Sequence, residues 1–172
     1  MAHKSKDTRK LEEYCETAGL TKQYCKMIGE ISLRYYRYAW LPSLKMEETA
    51  DTLPVLRDAV FTICDRSIPY PKDRLVRSVR TISRLDLFDV LVERALEFVW
   101  EDILTDPEEV YAEILRYCYL DRTQESEYDF CDRTGLSRSA MYEGRSSLLI
   151  AVGLAMNGCA APTALRALGE WG

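Results

Sequence analysis

The sequence predicts an all-α fold, a multi-helix single domain closed by a C-terminal helix-turn-helix, on three observations. Apolar residues recur mainly at three- and four-residue spacing, and alternating β-branched runs are nearly absent. The chain has 172 residues and is 47% apolar, enough to bury a core of its own. Residues 1–105 read as a helical N-terminal region, with a second helix-turn-helix-like unit at 6–40, and residues 106–172 as the C-terminal helix-turn-helix region.

Helices are expected at 6–18 and 21–40, separated by Gly19-Leu20-Thr21, in which the glycine ends one helix and the threonine caps the next. Further helices are placed at 45–52 and 54–66, the latter opened by Pro54 after Asp51-Thr52. Ile68-Pro69-Tyr70-Pro71 cannot be helical throughout, because each proline pushes its predecessor toward extended geometry and removes a backbone donor.

Helix 72–83 carries Leu75, Val79 and Ile82 on one side and Arg74, Arg77, Arg80 and Arg84 on the other. That stripe suits a phosphate backbone, but the more common explanation, and the stronger one here, is a solvated face that pairs with the acidic row Asp86, Asp89, Glu93, Glu97 and Glu101. Helix 85–104 is expected to organise the core through Leu85, Phe88, Val92, Ala95, Val99 and Ile103.

Asp106-Pro107-Glu108-Glu109 supplies a cap, a proline preset for the first turn and acids at the positive helix end, so a helix is expected over 107–120. A short helix at 124–133 follows. Gly135 then lies where a left-handed residue is wanted, Leu136 can fill the hollow between helices, and Ser137 can cap a helix over 138–157. A last short helix is placed at 162–169. Residues 148–156, "LLIAVGLAM", are apolar all round and too few to cross a bilayer, so they must lie in the centre of the monomer or in a homodimer interface.

In a helix-turn-helix the second helix enters the major groove and its N-terminal residues reach base edges. Arg138, Tyr142 and Arg145 fall on one face, with Ser139 and Ser146 beside it. Arginine can bind guanine bidentately, and Tyr142 can donate to phosphate. The segment "EEVYAEILRYCYLD" followed by "GLSRSAMYEGRSSLLIAVG" resembles the sigma-factor-like helix-turn-helix of the ArpU and RinA phage regulators. Gly135, Ser137, Tyr142, Arg145 and Leu148 meet that family's pattern, over about one third of the chain. What the resemblance implies is a cytoplasmic, non-enzymatic transcriptional regulator of a phage or mobile element that binds duplex DNA.

The N-terminal unit echoes this corner. "EYCETAGLTKQYC" lies on "DFCDRTGLSRSAM", matching Gly19 with Gly135, Thr21 with Ser137 and Lys22 with Arg138, and making Lys22, Gln23 and Lys26 a second candidate patch. Charge favours that copy: residues 1–40 carry eight bases and five acids, residues 106–172 six and eleven, within a net charge of −5. Acidic excess therefore supports a rival reading, a helical protein-binding adaptor or inhibitor, DNA-like in charge, that engages a basic host protein such as a polymerase or nuclease. In "LRYYRYAW" the rings of Tyr35, Tyr36, Tyr38 and Trp40 alternate with arginines and are expected to pack inward.

No catalytic set is expected. His3 is the sole histidine, the six cysteines form no CxxC pair, and no P-loop or GxGxxG occurs, so neither a metal nor a cofactor is anticipated. Wide cysteine spacing without an apolar leader or membrane-spanning run points to the cytoplasm and to no membrane partner.

Overall fold

The computed structural model describes residues 6–36, 72–83, 86–104, 108–121 and 125–157. Their regular structure is entirely helical. In order come α1 (Lys6–Ala18), α2 (Lys22–Tyr36), α3 (Lys72–Ile82), α4 (Asp86–Phe98), α5 (Glu108–Leu115), α6 (Glu127–Thr134) and α7 (Arg138–Ala155). The expected helices at 45–52, 54–66 and 162–169, and the proline segment 68–71, lie outside the described residues.

The all-apolar stretch of α7 decides the architecture. Leu148 to Met156 are all buried within the one chain, so this stretch occupies the centre of the monomer. Around it, α7 packs against α1, α2, α4, α5 and α6, while α3 rests on α2. The α2–α7 pairing is the most extensive. It is also the closest, because Gly29 faces the Leu149 backbone and Gly153 faces that of Cys25. As one index rises the other falls, so the two helices run antiparallel, with main chain against main chain where a side chain would keep them apart.

Amphipathic spacing fixes the surrounding helices. Phe88, Val92, Ala95 and Val99 of the α4 stripe are buried, as are Leu75 and Val79 of α3. Glu93, Glu97 and Glu101 face solvent, as expected of the acidic row. Tyr36 donates its hydroxyl to Glu93 at 3.3 Å, tying α2 to α4. Loss of water around the phenol, followed by the nearby carboxylate, pushes the Tyr36 pKa up to about 12.

Both α4 and α5 end in a wide π turn, Val99–Ile103 and Arg116–Leu120, closed by Leu104 N–H to Val99 O at 2.9 Å and Asp121 N–H to Arg116 O at 2.7 Å. Such turns interrupt the helical register and re-aim side chains. The second one carries Tyr119 into the interior and stacks Tyr117 on Phe130 of α6, with ring centroids 4.4 Å apart. Cys15 and Cys25 are buried, and burial raises the Cys15 thiol above its ordinary pKa. Among the described residues no His, Cys, Asp and Glu group could hold a metal, and no helix is long and apolar enough to cross a membrane.

Candidate nucleic-acid interface

Two glycine corners present the candidate residues. At the first, Gly19 has φ 67°, with its N–H on Glu16 O and that of Leu20 on Cys15 O, at 3.1 and 2.9 Å. This double closure is a Schellman motif. At the second, Gly135 has φ 73° and makes a single 2.9 Å bond to Cys131 O, the simpler left-handed cap. Thr21 Oγ1 then accepts from Tyr24 N–H, and Ser137 Oγ from Ala140 N–H, each at 3.1 Å. The internal echo in the sequence is thus matched by two helix–glycine–cap–helix corners, whose second helices, α2 and α7, are the antiparallel pair at the centre of the fold.

Ser137, Arg138, Ser139 and Tyr142 stand exposed on the first turns of α7. Acids close round the cation there. Arg138, 75% exposed along its side chain, forms an ion pair with Glu127, and its guanidinium lies 5.7 Å from the centre of the Tyr142 ring. Tyr142 donates to the same carboxylate at 3.0 Å. Hydrogen bonding to Tyr142 and the charge of Glu127 raise the Arg138 pKa. Residues 125–143 hold five acids (Glu125, Glu127, Asp129, Asp132, Glu143) against Arg133 and Arg138, and Arg133 is itself forked onto Glu125 and bonded to Glu113.

Arg145 departs from its expected place beside Arg138. It is half-buried and points toward α2, where it pairs with Glu30 at 3.4 Å and donates to Tyr119 Oη at 3.2 Å. Tyr119 in turn donates a short hydrogen bond to Glu30. Burial works against the Arg145 charge, but Tyr119 and Glu30 outweigh it and its pKa is raised; that of Tyr119 is raised by burial and then by Glu30. The side chain therefore ties α7, α2 and the π turn after α5 together. Helical periodicity could put Arg145 on a face; it could not supply the two partners, which lie 115 and 26 residues away.

On the N-terminal side, Lys22, Gln23 and Lys26 are exposed along α2, with Lys22 paired to Glu12 at 2.8 Å. Lys72, Arg74, Arg77 and Arg80 are exposed along α3, whereas Arg84 lies outside the described residues. Because α3 packs on α2, these rows are neighbours. The two helices hold seven Lys or Arg (22, 26, 34, 72, 74, 77 and 80), all exposed, against Glu30 and Asp73. The sequence presents the α3 stripe and the α2 patch as separate features, and Arg34, expected there only as a cover for the rings of the aromatic run, stands exposed on the same pair of helices. Gln23 and Lys26 also share a groove with Tyr142 and Arg145, so members of both candidate patches meet.

No family model, curated protein or solved structure matches the chain.

Proposed function

We propose that the protein is a cytoplasmic duplex-DNA-binding regulator of transcription, of the kind carried by phages and mobile elements, and that the exposed face of α2 and α3 makes its phosphate contacts. The observation that carries this reading is charge segregation: a balance of +5 on two adjacent helices of a chain whose net charge is −5. Phosphate neutralisation needs such a local excess, not a basic protein as a whole. Lys22, Gln23 and Lys26 open the helix that follows the Gly19 corner, the position from which a helix-turn-helix reads bases. The sequence resemblance to the ArpU and RinA regulators covers only α5 to α7 and bears on the class; because acids flank the tip of α7, the reader we propose is the start of α2.

Titration of the purified protein into labelled mixed duplexes at two salt concentrations tests this. Affinity should fall steeply with salt, and Lys26→Glu with Arg77→Glu should weaken it at least about tenfold and flatten the salt slope by about 2. Absence of binding at low salt refutes the reading. A second reading is favoured by the α6 surface, where Glu127, Asp129 and Asp132 flank Tyr128, 78% exposed. An exposed aromatic among acids suits a basic protein partner. Binding to such a partner that Tyr128→Ala abolishes, without DNA affinity, would select the adaptor.

A further inference from the structure

Between α2, the first turns of α3 and the middle of α7 lies a cavity of about 570 Å³. Its volume is in the range of pockets that enclose small molecules. Met27, Ile31, Val76 and Leu149 give it an apolar lining, and Tyr35 and Tyr142 contribute rings. Among the described residues four cations border it, Lys26, Arg34, Lys72 and Arg145, and one acid, Glu30.

That acid is already satisfied. Glu30 is held by Arg34 at 3.3 Å, by Arg145 at 3.4 Å and by the Tyr119 hydroxyl, so its charge is spent within the protein. Lys26 and Lys72 differ: among the described residues neither has an ion pair, and both are exposed at the border of the cavity. Lys72 is also the first residue of α3, and Val76, one turn on, lies in the same wall, so the positive end of that helix adds to the field there. The apolar lining suits an apolar body, and the two ammonium groups at its border suit an anionic head.

We propose that this cavity binds a small amphipathic anion, an aryl or medium-chain acyl carboxylate, with the apolar body on Met27, Ile31, Val76 and Leu149 and the carboxylate between Lys26 and Lys72. The site shares Lys26 and Lys72 with the proposed phosphate-contacting face, but it is read by small-anion binding without DNA, so the two readings can fail separately. Its contacts follow ordinary division of labour, in which burial of the body supplies affinity and charge-assisted hydrogen bonds to the head select an anion.

Fluorescence titration with 8-anilinonaphthalene-1-sulfonate, whose sulfonate stands in for the carboxylate, tests the site. One saturable site per chain is expected, with decanoate displacing the dye at least tenfold more effectively than decanol. Lys26→Glu combined with Lys72→Glu should weaken dye binding at least tenfold with an unchanged circular dichroism spectrum, and Val76→Trp should fill the cavity and abolish it. On the unsubstituted protein, decanoate should protect Lys26 and Lys72 from acetylation by acetic anhydride, read by peptide mass spectrometry. Unsaturable binding, equal displacement by decanol, full affinity in the folded variants, or absence of protection at these two lysines would each overturn the assignment.

Discussion

Replacing Gly153 or Gly29 by alanine is expected to loosen the whole α2–α7 pairing. A methyl group at 153 would lie 1.8 Å from the Cys25 carbonyl oxygen, and one at 29 would lie 2.0 Å from that of Leu149. Ordinary contact begins near 3.4 Å. Bending and parting of the helices must together relieve an overlap of about 1.5 Å, and a residual gap of about 0.5 Å between facing atoms forfeits about a quarter of their dispersion attraction. Ile28, Leu33, Leu148, Leu149 and Val152 are fully or almost fully buried on these two helices. Burial of each contributes about 1.5–3 kcal/mol, so losing a quarter costs about 2–4 kcal/mol together. Alanine's better helix propensity returns about 1 kcal/mol. Each substitution should thus destabilise the protein by about 1–3 kcal/mol net, the usual cost of overpacking. Urea unfolding followed by circular dichroism should show a lower midpoint at unchanged slope. Gly144→Ala is the internal control, because its methyl meets only side-chain atoms, the tip of Ile114 at 2.6 Å and the Tyr111 ring at 3.9 Å. It should stay within about 1 kcal/mol of the parent. Combining Gly29→Ala with Gly153→Ala should cost less than the two separately, since helices already parted accept the second methyl more easily. Stabilisation by about 1 kcal/mol at either site, as in an open helix, would refute the close approach.

Ser32, wholly buried in α2, has a hydroxyl without a hydrogen-bond partner among the described residues, so Ser32→Ala should raise stability by about 1 kcal/mol in the same urea assay. Arg145→Ala should cost about 1–2 kcal/mol by leaving Glu30 and Tyr119 short of a partner in a half-buried site, whereas Arg138→Ala should change stability by less than about 0.5 kcal/mol. Alkaline titration should weaken the fold. Tyr36 moves from 10.0 unfolded to about 12 folded, so the stability it contributes is complete below pH 10 and is lost as pH rises toward 12. Tyr119 shifts in the same direction, and Tyr36→Phe should remove part of the loss in unfolding curves recorded across that window.

Periodicity and punctuation were enough to predict the described helices. Gly19, Gly135, Thr21 and Ser137 act within four residues of themselves, so their corners could be read before any packing was known. The stretch 148–156 could be read as buried because an all-apolar helix has no face to offer water. Its choice between monomer and interface was open until α1, α2, α4, α5 and α6 closed around it. Two π turns were not foreseen either, since one i→i+5 closure leaves no compositional trace.

Charge marks the boundary most clearly. By itself the sequence determined which residues are cations and which helix face each occupies, because helical geometry repeats every 3.6 residues. Tertiary structure alone decided which of them remain available. It turned Arg145 inward to Glu30 and Tyr119, set Glu127 against Arg138, and left Lys26 and Lys72 on the border of one cavity. Those pairings join residues from separate helices, and a through-space interaction at a few ångströms is fixed by how helices pack and not by the spacing along any one of them.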